Sequence, residues 1–334
     1  MKKIAILLAL SMTGASVAMA QSTTATAPTD VAAGANTTTG SASDLQKPDE
    51  TMKDQSQEIT NARMRAEAGS RSKYSVKANL SYSGGSVERP LERVRPNYRA
   101  GVAADAATTL GGTMAVAYRA SDKLTARFGT GLSMRTPFHN KDKEVASNQY
   151  EKTGAKVIDV ATPYLEASSA FRLGNLMLMP SATVSYFSKQ IDRDVYKKDA
   201  GVDADLTAVY EITGSGWQPG LTTAVYNTFY QDAKQDFDRI GDKNARDDYG
   251  IGFYPFVEYQ FNDRYSFRTL IGISYTHVRS EDADTFIKDK VYQSAGIGIA
   301  LTKEVYIYPN VQFLPDEMRP AQTNVGLSTT MSVF

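Results

Sequence analysis

The chain contains no cysteine. Disulfides, thiolate metal sites and a lipid-anchored N-terminal cysteine are thereby excluded. Histidine is scarce too: His139 and His277 are the only two, and Trp217 is the only tryptophan. There is no excess of charge, with Lys plus Arg and Asp plus Glu at 37 each among 334 residues. Nucleic-acid binding, which needs an excess of base on one surface, has no support. No apolar run approaches the ~20 residues of a membrane-crossing helix. A sliding hydropathy window therefore reads the chain as soluble, but that test does not detect strands that hide an apolar residue at every second position.

What is present begins with a leader. Lys2 and Lys3 precede an apolar run, Ile4 to Leu10, and then small residues ending in Ala18-Met19-Ala20. This layout predicts a cleavable secretory signal over residues 1–20. Its removal would leave 35 basic against 37 acidic side chains. Residues 21–45 are mostly Ser, Thr, Ala and Gly, which cannot bury enough surface to offset ordering entropy. Residues 46–72 are charged, with Met52, Ile59 and Met64 as a thin apolar stripe. The expectation for 21–72 is thus a disordered, partly helical periplasmic extension whose helix is solvated; a plug or a periplasmic contact is the sharper alternative.

From residue 73 to 334 the texture changes to alternation. In "KYSVKANLSYSGG", Tyr74, Val76, Ala78, Leu80 and Tyr82 share one face, and Ser75, Lys77, Asn79 and Ser81 the other. Twelve such segments can be counted, roughly 73–83, 108–120, 123–135, 157–171, 175–187, 202–213, 217–230, 249–261, 264–277, 290–301, 304–314 and 322–334. Period-two alternation predicts strands with one apolar and one polar face. Each has about the length of a tilted membrane-spanning strand, ~9–11 residues.

The connections alternate short and long. The short ones are 120–123, 173–175, 213–216, 262–264 and 301–304; the long ones, 84–107, 136–156, 188–201, 231–248, 278–289 and 315–321, are polar. Tight turns at one end and long loops at the other predict an all-β, closed, up-and-down antiparallel transmembrane barrel of about twelve strands. An even count puts both termini on the short-turn side. Trp217, Tyr118, Phe128, Phe171, Tyr259, Phe261, Tyr265 and Phe267 lie near short turns on the apolar face, as an interfacial girdle requires. Pro163, Pro180, Pro255 and Pro309 fall inside the strand patterns, on the apolar face. Proline cannot donate to a ladder, so a shared bend or bulge is expected.

The leader, the up-and-down pattern and the terminal phenylalanine together resemble a bacterial outer-membrane β-barrel protein of the porin-like class, over residues 73–334. The resemblance implies an outer-membrane location with periplasmic termini, lipid and lipopolysaccharide as surroundings, and recognition of Phe334 by the barrel-assembly machinery. The preceding apolar positions Val325, Leu327, Met331 and Val333 are out of step with Phe334.

If the apolar face meets lipid, the polar face lines a lumen. Its residues are often small, among them Gly129, Gly131, Ser181, Thr183, Gly272 and Ser274, so a narrow water-filled path is expected; occlusion by loops or by residues 46–72 is the alternative. The inward charges are sorted. Arg119, Arg127, Arg135 and Arg172 come from neighbouring strands, Asp203, Asp205 and Glu211 from strand six, Glu258 from strand eight, and Arg268 lies further round. Two readings stand side by side: facing walls that orient a solute, or interior salt bridges that hold the barrel closed, which Glu166 among the arginines favours. Catalytic residues, metal ligands and cofactors are not expected. Outer-membrane lipases of the resembling class carry a His and a Ser two apart on one strand, whereas here Ser280 is three from His277, and an interfacial histidine is the expectation. The functional expectation is passive, selective diffusion of small polar solutes, tilted towards anions by the arginines. The alternative is a structural or adhesive barrel acting through its loops, and more remotely a membrane-embedded lipid hydrolase.

Overall fold

A computed structural model describes residues 58–69, 72–96, 105–138, 158–189, 192–193, 196–231, 246–279 and 284–333. In chain order they form a short helix α1 (Ala62–Ala68), then β1 (Tyr74–Ser86), β2 (Val94–Pro96), β3 (Asp105–Ala107), β4 (Thr109–Arg119), β5 (Leu124–Arg135), β6 (Ile158–Ser169), β7 (Phe171–Leu173) and β8 (Leu176–Tyr186). There follow β9 (Lys198–Tyr210), β10 (Trp217–Tyr230), β11 (Arg246–Gln260), β12 (Tyr265–Arg279), β13 (Asp284–Lys288), β14 (Tyr292–Ala300), β15 (Val305–Phe313) and β16 (Asn324–Val333). The leader, residues 21–57, His139, Ser280 and Phe334 lie outside the described residues.

Twelve strands close a barrel, each antiparallel to both neighbours. The order around it is β11-β10-β9-β8-β6-β5-β4-β1-β16-β15-β14-β12, and β11 pairs β12 to complete the circle. The first and last strands meet in register, with Val76 opposite Val333 and Tyr82 opposite Leu327. All twelve strands expected from alternation are present. β7 continues the line of β6, and β13 pairs only with β12. The hairpin β2–β3 in the first long connection has no counterpart in the expectation.

The two faces are inverted relative to a soluble protein. Along β5, Leu124, Ala126 and Phe128 are exposed while Thr125, Arg127 and Gly129 are buried. Phe128 and Leu165 are each 62% exposed, against 4% for Arg127 and 2% for Arg268. Such a surface is stable only against hydrocarbon. Rings cluster at the short turns, where Trp217 lies 4.7 Å from Tyr259 and Tyr74 5.4 Å from Tyr118. A second group stands near the long connections, where His277 stacks on Tyr249 at 4.4 Å with Phe286 edge-on. Leu165 lies mid-strand on the outer face, so Leu165→Arg is expected to destabilise the barrel in lipid vesicles by ~2–4 kcal/mol, the cost of a basic side chain at the midplane. Urea unfolding measures it, and an unchanged midpoint would contradict a lipid-facing exterior.

The shared bulge expected at the four prolines is corrected. Only β6 is bulged there: Gly129 faces Tyr164 and Gly131 faces Ala161, which leaves Thr162 and Pro163 together opposite Thr130. Thr162 has φ 58°, and its amide donates to the Ser188 hydroxyl at 2.8 Å. At the other three the register runs through unshifted, and the ladder is interrupted on one side only. Pro180 sits beside the break between β6 and β7, Pro255 where β11 lacks pairs to β12, and Pro309 where β15 lacks pairs to β14. A missing N–H thus costs each strand pairing to one neighbour and leaves the other pairing whole.

Candidate functional site

The barrel interior holds the charged residues, and it also holds α1. Asn61 caps the helix by accepting from the Met64 amide at 3.1 Å, and Gly69 ends it at φ 95°. The expected solvated helix is corrected here. Ile59, Asn61, Arg63, Met64, Ala66 and Glu67 are all buried, because the helix lies across the short-turn end of the barrel.

Its two ends reach opposite walls. At one end the Asn61 amide donates to Gln218 Oε1 at 2.7 Å and to Glu258 Oε2 at 2.9 Å, on β10 and β11. At the other, Glu67 accepts from Arg127 on β5 at 2.6 Å, and its carbonyl accepts from Arg127 at 2.8 Å and from the Lys77 ammonium on β1. In the order around the barrel, β10 and β11 stand across from β5 and β1. Before the helix, the Thr60 hydroxyl donates to Glu211 at 3.2 Å, and Arg172 donates to Glu211 and to the Glu58 carbonyl. Ile59 and Met64 pack into an inward apolar cluster with Met177, Met179, Val209, Phe256 and Leu270 among others, while Ala66 meets Tyr306 and Tyr308.

The magnitudes say what this does to the bore. Twelve strands ~4.8 Å apart and tilted ~40° enclose a backbone cylinder about 24 Å across. Inward side chains leave about 14 Å, and a helix with its side chains is ~10–12 Å wide. At its own level α1 therefore fills most of the section. Not every small inward residue leaves free space: a side chain at Gly220 would run into the Phe256 ring, and one at Gly272 into Tyr292. Rings folded over glycines take up that room, and the plugged alternative describes the short-turn end.

Each charged position named from the sequence has a place in the interior. Arg127 is clamped between Glu67 at 2.6 Å and Glu166 at 2.7 Å, all three buried. Arg172 pairs with Glu211. Arg119 donates to the Asp122 carbonyl at 3.2 Å in the adjoining turn. Arg135 is buried at the far end of β5. Glu258 accepts from Asn61 and, at 2.6 Å, from Ser266. Arg268 stands opposite Glu258 in register and stacks over Phe256, 4.5 Å from the ring centre. Asp203 and Asp205 occupy adjoining inward positions of β9, and Thr183, between them and Glu166, faces both Asp203 and Glu166. The structure thus pairs Arg127 and Arg172 with acids. Sequence reasoning did not single out Asn61, Glu67 and Gln218, nor give Lys77 a role.

Burial alone would push the Glu67 carboxyl up; Arg127, Lys77 and Arg63 outweigh it and hold the group below its ordinary range. Arg63 is lowered to about 10, chiefly by burial and next by Arg268. His277 faces outward among rings, with Nδ1 3.7 Å from Asp248 Oδ2.

No family model and no curated protein matches the sequence. Solved structures do. An outer membrane channel from Pseudomonas putida F1 aligns with TM-score 0.51 at 11% identity, over 80% of this chain and 97% of that one. The NanC porin aligns at 0.40 and 10%, over 78% and 98%. The KdgM porin, solved with oligogalacturonate, aligns at 0.37 and 8%, over 78% and 99%. The chain shares the β-barrel fold of the Pseudomonas putida F1 channel. At these identities the likeness is one of backbone architecture, and function has to be argued from the interior just described.

Proposed function

We propose that the protein is an outer-membrane channel for passive diffusion of small polar solutes, with both termini periplasmic and α1 as a plug at the periplasmic mouth. One observation carries the reading: a closed barrel with an apolar exterior surrounds a polar, charged interior, and the element across it is held largely by side-chain contacts. On this reading lipid and lipopolysaccharide surround the exterior, and the barrel-assembly machinery inserts the chain.

Of the four arginines behind the expected anion preference, two are neutralised. The charges of Arg127 and Arg172 are balanced by carboxylates. Among the described residues, no ion pair joins Asp203 or Asp205 to a basic side chain. The two aspartates form an acidic patch on the inner wall, and rings or patches of acid select cations. Planar bilayers under a salt gradient are expected to show a cation-preferring reversal potential that moves towards zero in Asp203→Asn/Asp205→Asn. Absence of conductance, from both the full chain and a chain lacking residues 58–69, would instead establish a closed barrel acting through its loops.

A further inference from the structure

Strands β8 and β9 bring four oxygen-bearing side chains together on the inner wall. Thr183 stands opposite Asp203, and Ser181 opposite Asp205. Side chains so opposed have Cβ atoms ~4.5–5.5 Å apart, and successive inward positions are ~7 Å apart along a strand. On the far side of β9, Tyr226 faces Asp203 and Ala224 faces Asp205.

The other inward acids are provided for: Glu166 by Arg127, Glu211 by Arg172, Glu258 by Asn61 and Ser266. The aspartates are not. Asp205 is 5% exposed, and its Oδ2 has no hydrogen-bond partner. Thr183, independently, is also 5% exposed with its hydroxyl oxygen unpartnered. A buried carboxylate beside a second one is costly unless a positive charge neutralises both. The orphaned oxygens mark where that charge would sit. Asp203 keeps partial exposure, which leaves a way in from the lumen.

We propose that Asp203, Asp205 and the Thr183 hydroxyl bind a hard divalent cation, Ca²⁺ or Mg²⁺. Carboxylate and hydroxyl oxygens match such ions and mismatch softer metals. No three acidic or imidazole groups converge among the described residues, so water completes the shell. A two-carboxylate site of this kind belongs at the weak end of calcium affinities, ~10⁻⁴–10⁻³ M. It neutralises the acidic patch without a basic side chain, and it exists whether or not the lumen conducts.

The test uses the full chain in detergent micelles, with Mn²⁺ as a paramagnetic probe and Ca²⁺ as competitor in calorimetry. One weak site is expected. Asp203→Asn/Asp205→Asn should lower its affinity at least tenfold and Thr183→Val severalfold, while Asp263→Asn, in an exposed short turn, should change nothing. Resistance of the unheated barrel to SDS confirms that each variant is folded. Binding that survives the double substitution overturns the proposal. So does absence of binding up to ~10 mM, well beyond the weak extracellular range, together with an infrared signature of protonated carboxyls.

Discussion

Deleting residues 58–69 is expected to raise single-channel conductance by up to about 2.5-fold, since a ~11 Å helix leaves somewhat over a third of a ~14 Å bore at its own level. The barrel should survive the loss. Among the described residues its strands pair with one another, from the β1–β16 closure through to β11–β12, and none needs the helix backbone to complete its ladder. The deletion uncovers Met177, Val209 and Leu270, which Ile59 and Met64 cover in the intact chain. Some stability is therefore lost with the plug. A synthetic peptide of residues 58–69, added back from the short-turn side, is expected to lower the current again, which separates removal of an obstruction from a general loosening of the barrel. Conductance unchanged by the deletion in a barrel that still resists SDS would show that α1 does not limit flow.

The strands were legible because their signal is local and repeated. Alternation in "LTARFGTGLSMR" is enough to assign β5 and to say that Arg127 faces inward. Alternating turn lengths then fix the up-and-down order without any pairing information. The plug was legible only as an alternative, for the opposite reason: its determinants are few and distant. Glu67 meets Arg127 across 60 residues of sequence, and Asn61 meets Glu258 across 197. A weak signal did exist. Met177, Met179, Val209 and Leu270 are apolar on the face that should be wet, and they line up with the thin stripe of Ile59 and Met64. Inward apolar residues in a barrel with a polar lining call for an apolar guest. The filling of the lumen by rings was beyond reach as well. Whether the space over Gly272 stays open depends on how Tyr292, on the next strand, turns its side chain.

Arg127 is the side chain on which barrel wall and plug both depend, and Arg127→Ala is expected to lower stability by ~3–5 kcal/mol, the cost of stranding buried charges. Two carboxylates, Glu67 and Glu166, would then share a buried site without their common cation. Glu67→Gln is gentler. Arg127 keeps Glu166, and only the charge at the plug end is lost, so ~1–3 kcal/mol is expected, the range of a charge-assisted hydrogen bond. The two should be far from additive, because they remove the same contact. Acid offers an independent check. Glu67 is held below its ordinary range in the folded protein, so its contribution is complete above the unfolded value of ~4.3 and is lost as pH falls through the lower folded value. Hydrogen exchange at the α1 amides should therefore be insensitive to acidification from neutrality until below about pH 4 once intrinsic rates are divided out, then accelerate in the wild type. In Glu67→Gln the protection should already be reduced at neutral pH, with the acid step absent, so that the two proteins converge in acid. Urea unfolding in vesicles reads the stabilities. If Arg127→Ala shifts them by less than ~0.5 kcal/mol, the scale of an ordinary surface substitution, then the clamp seen at 2.6 Å and 2.7 Å does not hold the plug in place.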